Sequence, residues 1–179
     1  IKYLDLNGDG KITADGDRQI IGKNFPSWTT GLNLTLYYKD FDFSAMFQGV
    51  GKVDGFLGRD IIEPLGSQTA MEEHYYDSFD PSNPTTGKYY PRMTMANRLN
   101  YANMSHWVQD ASYLRLKNLQ VGYTFKFGEK SPVERTRIYF SGSNLFTLTK
   151  YRVFDPENGL NTTSFPNSRV YSIGANVTF

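Results

Sequence analysis

Five segments of the chain alternate between apolar and polar residues. In LNLTLYY, from Leu32 to Tyr38, every second residue is apolar, and a period of two is typical of a β-strand with one apolar face. The same alternation predicts strands over 29–38, 41–50, 112–126, 136–148 and 169–179. The fold class predicted from this pattern is all-β.

The connections between the predicted strands differ sharply in length. Only Lys39 and Asp40 separate the first two strands, which fits a tight hairpin, and about eight residues join the third strand to the fourth. By contrast, the connections 51–110 and 149–168 are long. Short and long connections therefore lie at opposite ends of the sheet, an asymmetry typical of outer-membrane β-barrels.

The polar faces of the predicted strands carry small uncharged residues. Asn, Ser, Thr, Gln and Gly fill these positions over 31–35, 118–124 and 172–178, where a soluble β-sandwich normally carries Lys, Glu and Arg. Such residues form hydrogen bonds without building a charged field, which suits the lumen of a barrel. The apolar faces end, near the short connections, in the aromatic residues of an interfacial girdle: Tyr38, Phe41, Tyr123, Phe125 and Phe179. The pattern favours a membrane barrel over a soluble sandwich.

Two strands depart from strict alternation. At the start of the third predicted strand, counting in steps of two places Arg115 and Lys117 on the apolar face. In the fourth, Gly142 or Asn144 is expected to mark a β-bulge.

Five strands cannot close a barrel. The smallest outer-membrane barrels have about eight strands, and an open sheet edge in lipid leaves backbone N–H and C=O groups unpaired. We therefore expect the chain to be the C-terminal part of a longer polypeptide whose other strands complete the barrel.

Composition narrows the choice of partners. The chain has 179 residues, with 19 Lys and Arg against 18 Asp and Glu, and this near-neutral charge argues against nucleic acid as a partner. Its 13 Tyr and 13 Phe favour strands. Cys is absent, so neither disulfides nor thiol chemistry is expected.

Longer stretches of the chain carry a family resemblance. They are DLNGDGKIT, IIGKNFPSWTTGLNLTLYYKDFDFSAMFQGVGK, WVQDASYLRLKNLQVGYTF, RIYFSGSNLFTLTKYRVFDPE and RVYSIGANVTF. In these stretches and their order the chain resembles the C-terminal end of a SusC/RagA-type TonB-dependent transporter. Members of that family are outer-membrane nutrient importers of Bacteroidetes.

The resemblance implies a barrel of about 22 strands, of which these five are the last, with an N-terminal plug outside this chain. It implies a multi-pass protein of a Gram-negative outer membrane in which 1–28, 51–110 and 149–168 are extracellular loops. The implied partners are a SusD-like surface lipoprotein that acts as a lid, the TonB complex, the lipid bilayer and an oligosaccharide or peptide cargo. The alternative from the pattern alone is a secreted β-sandwich that binds carbohydrate.

The resemblance also gives the last strand a role. In outer-membrane proteins of this kind, a terminal aromatic residue preceded by alternating apolar residues is read by the barrel-assembly machinery. The expected signal consists of Tyr171, Ile173, Ala175, Val177 and Phe179, all facing lipid.

The segment DLNGDGKITADGD resembles a calcium loop of the D-x-[DN]-x-[DN]-G type. Asp5, Asn7 and Asp9 would supply side-chain oxygens and Lys11 its carbonyl. The twelfth position, where a Glu is expected, is Gly16, so Asp15 or Asp17 would have to take its place. The hypothesis is a Ca²⁺ or Mg²⁺ site that stiffens a loop, and the alternative is a turn rich in Asn, Asp and Gly that needs no metal.

Aromatic residues of the long connection are candidates for contact with a ligand or the lid, because Tyr and Trp are favoured at such surfaces. The candidates are Tyr75, Tyr76, Tyr89, Tyr90 and Trp107. The alternative is that these rings pack the connection onto itself.

Catalysis finds little support in the sequence. His74 and His106 are the two histidines, and neither belongs to a metal motif or a nucleophile arrangement. We therefore expect a transporter rather than an enzyme.

Overall fold

The computed structural model describes residues 1–63, 76–82, 84, 88–93, 98–128, 130–152, 155–158 and 165–179. Within these residues the strands are β1 (Trp28–Tyr38), β2 (Phe41–Gly51), β3 (Asp54–Phe56), β4 (Val108–Asp110), β5 (Tyr113–Lys126), β6 (Arg135–Thr149) and β7 (Val170–Thr178). A single helical turn, α1, spans Arg59–Ile62, and 3-10 turns span Arg98–Tyr101, Ser105–Trp107 and Pro156–Asn158. The five long strands begin and end within one residue of the bounds predicted from alternation.

The five long strands form one antiparallel sheet in the order β1-β2-β5-β6-β7, and β3 pairs with β4 in a small second sheet. Each long strand therefore pairs with the next long strand along the chain. At the hairpin of β1 and β2, Tyr38 pairs with Phe41 across a two-residue turn in which Lys39 has a φ of 55°. We call the end of the sheet with this hairpin the turn end, and the other end the loop end.

Cross-strand register keeps the alternation in phase across the whole sheet. One row of paired residues is apolar throughout and consists of Leu36, Phe43, Val121, Phe140 and Ile173. The adjacent row carries hydroxyls and one amide and consists of Thr35, Ser44, Gln120, Ser141 and Ser172. The sheet thus has an apolar face and a polar face. Most large side chains of the apolar face are exposed, with Leu36 at 63% and Ile173 at 81%.

A bulge in β5 corrects one prediction. Phe47 of β2 pairs with Leu116 and Met46 pairs with Asn118, so Lys117 is an extra residue in β5. One extra residue reverses the faces of the strand beyond it. Arg115 consequently lies on the polar face, level with Gln48 and Thr147, whereas Leu114 and Leu116 join the apolar face. Placing Arg115 on the apolar face was wrong because counting in twos did not include this bulge.

A second irregularity lies opposite the first, in β6. The pairing passes from Asn118 with Ser143 to Leu116 with Phe146, which leaves one residue more in β6 than in β5. Asn144 has a φ of 54°, in the left-handed region that Asn tolerates better than most residues. Of the two positions expected to mark a bulge, the structure has it at Asn144 rather than Gly142.

The chain divides into two compact units, 1–23 with 56–109, and 24–55 with 110–179. The first unit has a small core of its own, to which Leu57, Ile62, Tyr101, Met104 and Trp107 contribute. Much of the connection 51–110 is therefore folded into short elements around buried side chains. No helix in the described part of the chain is long and apolar enough to span a membrane.

Candidate functional site

An ion pair lies flat on the polar face near the turn end. The Arg137 guanidinium donates from Nε to Asp42 Oδ2 over 2.8 Å and from Nη2 to Asp42 Oδ1 over 2.5 Å, which is the two-point geometry preferred by arginine and carboxylates. Between them lies Gly122, where a Cβ atom would be 2.5 Å from Asp42 Oδ2 and 2.6 Å from Arg137 Nη2. Because glycine leaves this space open, the two side chains lie against the sheet.

A second glycine of the polar face accommodates an aromatic ring. A Cβ atom at Gly174 would lie 2.5 Å from the Tyr139 hydroxyl oxygen, so the Tyr139 ring rests on the backbone of β7. The Arg137 guanidinium lies 4.8 Å from the centre of that ring. At the turn end, the side chains of the polar face therefore lie close to the sheet, and the charges of Asp42 and Arg137 neutralise each other.

A larger charged cluster lies at the loop end of the polar face, and sequence reasoning missed it. Arg115, only 2% exposed, donates from Nη2 to Asp155 Oδ1 over 2.5 Å and from Nη1 to Glu157 Oε2 over 2.6 Å. Its Nε donates to Thr147 Oγ1 over 2.9 Å, and Lys117 Nζ donates to both carboxylate oxygens of Glu157. Such buried charges are tolerated only when paired and hydrogen-bonded, as they are here.

The ionisation of Asp155 follows from this environment. Burial acts to raise the pKa of its carboxyl group, but the hydrogen bond from Arg115 and the backbone N–H groups of Glu157 and Asn167 outweigh that effect. The pKa of Asp155 is therefore lowered, and the group carries its negative charge at neutral pH.

The candidate aromatic residues of the first unit fall into two groups. Trp107 is fully buried, donates from Nε1 to the carbonyl of Asn100 over 3.0 Å, and packs edge-on against Tyr89. Tyr89 also stacks on His106, and Tyr90 lies beside Trp107. Trp107 therefore packs the connection onto itself. Tyr76, by contrast, is 78% exposed, whereas Tyr75 lies outside the described residues.

Residues 5–17, which we call the Asp/Asn loop, are held by hydrogen bonds from backbone N–H groups to aspartate side chains. Asp5 accepts from the N–H groups of Gly8 and Gly10 over 2.7 and 2.8 Å, and Asp9 Oδ1 accepts from that of Lys11 over 2.8 Å. Asp17 accepts from Thr13 and Leu6, both over 2.7 Å.

These hydrogen bonds also affect the charge of the loop. The backbone N–H of Thr13, followed by that of Leu6, lowers the pKa of Asp17. Lys11 and Asp15 are exposed. In the described part of the chain, no group of three or more His, Cys, Asp or Glu side chains is placed to hold a metal ion. The oxygens of Asp5, Asp9 and Asp17 thus organise the turn, with lone pairs remaining for a cation.

The residues of the expected assembly signal lie at one edge of the sheet. On β7, Tyr171 pairs with Gly142, Ile173 with Phe140, Ala175 with Ile138 and Val177 with Thr136. These β7 residues share the apolar face and are exposed, as is Phe179 beyond the strand.

Comparison with known proteins finds relatives along the whole chain, although no protein-family model matches it. The chain is 34% identical to TonB-dependent receptor P3 of Formosa agariphila over 99% of its own length, and 33% identical to TonB-dependent receptor P26 of that organism. It is 24% identical to TonB-dependent receptor SusC of Bacteroides thetaiotaomicron, again over 99% of its length. It spans about a fifth of the length of these relatives, 19% of each Formosa receptor and 17% of SusC.

Solved structures agree with the sequence relatives. The structure of the RagAB peptide transporter matches 94% of this chain with a TM-score of 0.75 and 26% identity, and the chain covers 19% of that protein. The RagAB peptide importer in the 'open-open' state matches with a TM-score of 0.73 and 25% identity. The five-stranded sheet is therefore part of the wall of an antiparallel β-barrel that it does not close alone, which confirms the predicted fold class. The chain belongs to the SusC/RagA-type TonB-dependent receptors and corresponds to a C-terminal segment of them.

Proposed function

We propose that the chain is part of an outer-membrane importer that moves a nutrient across the membrane by TonB-dependent transport. The observation that carries the proposal is the exposed apolar face of the sheet, which runs in register across five strands opposite a polar face. An exposed apolar surface of this extent is unfavourable in water and is stabilised by lipid. The apolar face would contact lipid, and the polar face would line the lumen.

The unequal connections support an orientation for the sheet. In outer-membrane barrels the short turns are periplasmic and the long loops extracellular. The turn end would then face the periplasm, and 1–28, 51–110 and 149–168 would be extracellular. Tyr38, Phe41, Tyr123 and Phe125 occupy the turn end of the apolar face, where an aromatic girdle would lie. Phe41 and Tyr123 are in edge-to-face contact there, with ring centres 4.6 Å apart.

The cargo would be an oligosaccharide or a peptide. RagAB, which the chain resembles in structure, is a peptide importer, and the sequence relatives are named receptors rather than enzymes. A SusD-like lipoprotein would cover the extracellular side, and the TonB complex would supply energy through a part of the receptor outside this chain. Exposed Tyr76, with the partly exposed Tyr89 and Tyr90, would offer rings for sugar stacking or for the lid.

Uptake by the full-length receptor tests this function. Deletion of the receptor gene should abolish growth on one class of substrate from a panel of glycans and peptides, and depletion of TonB should reproduce that loss. Deletion of a gene for a SusD-like lipoprotein that copurifies with the receptor should weaken growth on the same substrate. Recovery of the native protein in the aqueous phase without detergent would instead support the secreted β-sandwich.

The Asp/Asn loop would bind Ca²⁺, or Mg²⁺, through Asp5, Asn7 and Asp9. The donors are oxygens, as hard cations prefer, and all three lie in one turn in which backbone N–H groups already orient Asp5 and Asp9. Titration of the purified full-length receptor with CaCl₂ in a calorimeter should show binding. Asp9→Asn should weaken the measured affinity at least about tenfold. Asp80→Asn, in another exposed loop, serves as the control. Equal binding curves for wild type and both variants would contradict a metal site at Asp9, and the segment would then be a turn that needs no metal.

The apolar residues of β7 and the final Phe179 would act as the assembly signal. Receptor carrying Phe179→Ser should be recovered from the outer membrane in smaller amounts than wild type. Equal amounts would count against the signal.

A further inference from the structure

The connection between β6 and β7 is anchored at several separate points. Tyr151, just after β6, is buried, and its ring occupies the space where a Cβ atom at Gly55 would lie 2.6 Å from Tyr151 Cε2. At the returning end, Asn158 Nδ2 donates to the carbonyl of Phe165 over 2.8 Å. Asn144 Nδ2 donates to that of Ser168 over 3.1 Å. Both ends of the connection are thus held in place.

The strongest anchor is the charged cluster at the loop end, which we call the clasp and define as Arg115, Lys117, Asp155 and Glu157. Its two positive and two negative charges balance, and Asn167 adds a donor to Glu157 Oε2 over 2.7 Å. Because Arg115 projects from the polar face, its carboxylate partners must lie over that face. The 3-10 turn Pro156–Asn158 is therefore held against the barrel wall, with Pro156 buried.

The two bulges make this arrangement geometrically possible. If Lys117 were paired as a regular strand residue and did not bulge, Arg115 would point to the apolar face, away from Asp155 and Glu157. In β6, the left-handed Asn144 supplies the side-chain amide that binds Ser168. Bulges re-aim side chains in this way at the rims of barrels.

We propose that the clasp holds residues 155–158 as a fixed strap over the polar face and so narrows the mouth of the lumen. This inference rests on the proposed function, in which the polar face lines the lumen. A connection held only by exposed contacts would sample many positions and leave the width of the mouth undefined. Buried charges paired through oriented hydrogen bonds allow one position, because each alternative leaves a charge unpaired and dehydrated.

The test uses the full-length receptor in the outer membrane, and it compares a double variant, Asp155→Asn with Glu157→Gln, with wild type. Asp40→Asn is the matched control, because it removes an exposed ion pair with Lys126 at the opposite end of the sheet. Arg115→Lys is the second variant, since it keeps the charge but loses the two-pronged guanidinium. Folding of every variant is checked by the heat-dependent shift in electrophoretic mobility that folded barrels show.

Two readouts follow the strap itself and the mouth of the barrel. A nitroxide attached at Phe165→Cys, with any other cysteines of the receptor replaced, reports motion of the connection, and Phe165 is 93% exposed, so a label there displaces little packing. We expect label motion about threefold faster in the double variant, and reaction of a second cysteine, Ser143→Cys on the polar face, with a bulky water-soluble maleimide added outside the cell about fourfold faster. Arg115→Lys should change both in the same direction by less, and Asp40→Asn should change neither.

A folded double variant with unchanged label motion would overturn the strap. Faster label motion with an unchanged rate of maleimide reaction at Ser143→Cys would overturn the proposal that the strap narrows the mouth. Failure of the proposed function has a different signature, since uptake would then be independent of TonB, or the receptor would be absent from the outer membrane.

Discussion

Two residues of the polar face, Tyr139 and Gly174, depend on each other at the level of single atoms. An added methyl group at Gly174 would lie 2.5 Å from the ring of Tyr139, and an aromatic ring cannot yield as the end of a flexible chain can. We expect Gly174→Ala to lower the free energy of unfolding by about 1–3 kcal/mol, the usual cost of overpacking.

The measurement is the urea midpoint of the folded receptor in lipid vesicles. Gly31→Ala is the matched control, because this glycine is also on the polar face but a Cβ atom there would meet a single atom, the Phe47 carbonyl oxygen, at 4.0 Å. Equal midpoints for the two variants would show that the Tyr139 ring moves away at little cost.

The clasp predicts a pH dependence through Asp155. A carboxyl group with a lowered pKa in the folded protein stabilises it above the unfolded pKa of about 4, and the contribution is lost as pH falls through the folded value. The free energy of unfolding of wild type should therefore fall below about pH 4 more steeply than that of Asp155→Asn. Urea titrations of both proteins at several pH values measure the difference. Parallel curves would mean that Asp155 is no better stabilised in the folded state than in the unfolded chain.

At the scale of elements, the extra residue in β5 determines which side chains reach which face. Because Lys117 bulges out of the pairing, its deletion would join Leu116 directly to Asn118 and leave Arg115 on the polar face and Leu114 and Leu116 on the apolar face. The deletion therefore avoids a charge on the lipid face, which costs about 2–4 kcal/mol at the middle of the bilayer and less near its surface. We expect the amount of folded receptor in the outer membrane to stay within about twofold of wild type.

Deletion of Gly128 is the control for a shortened chain. This glycine lies in the connection between β5 and β6, and a Cβ atom there would meet nothing within 4 Å. A severalfold loss for the Lys117 deletion alone would show that folding needs the bulge itself, whereas equal losses for both deletions would indicate a general effect of chain shortening.

The same bulge shows what the sequence predicts and what it does not. Alternation placed the long strands to within a residue, because a strand that separates lipid from a polar interior must repeat every two residues. It misplaced Arg115, because no residue type in the sequence marks the position of the extra residue in a bulge. The clasp was also missed, since Arg115 and Asp155 are forty positions apart and meet only through the pairing of β5 with β6. Trp107 was a candidate for ligand contact because a buried ring and an exposed ring read alike in a sequence.

At the scale of the whole molecule, the two faces of the sheet must meet different surroundings if the receptor spans the membrane. Nitroxide labels at Ile173→Cys and Ser172→Cys of the full-length receptor, with any other cysteines replaced, distinguish these surroundings. Oxygen concentrates in lipid, whereas a charged nickel chelate stays in water. We expect collisions with oxygen to dominate at 173 and collisions with nickel to dominate at 172, and the ratio to alternate along β7 from 171 to 177.

A soluble β-sandwich gives a different result for the same two labels. Its apolar face would be a dry core, so a label at 173 would meet neither reagent, whereas a label at 172 would still meet nickel. The exposed side chain of Ile173 lies in a continuous apolar row with Phe140 and Val121, which supports high oxygen accessibility as the expected result. Low oxygen accessibility at 173 in the intact receptor would therefore remove the membrane-spanning orientation, and with it the assignment of the polar face to the lumen.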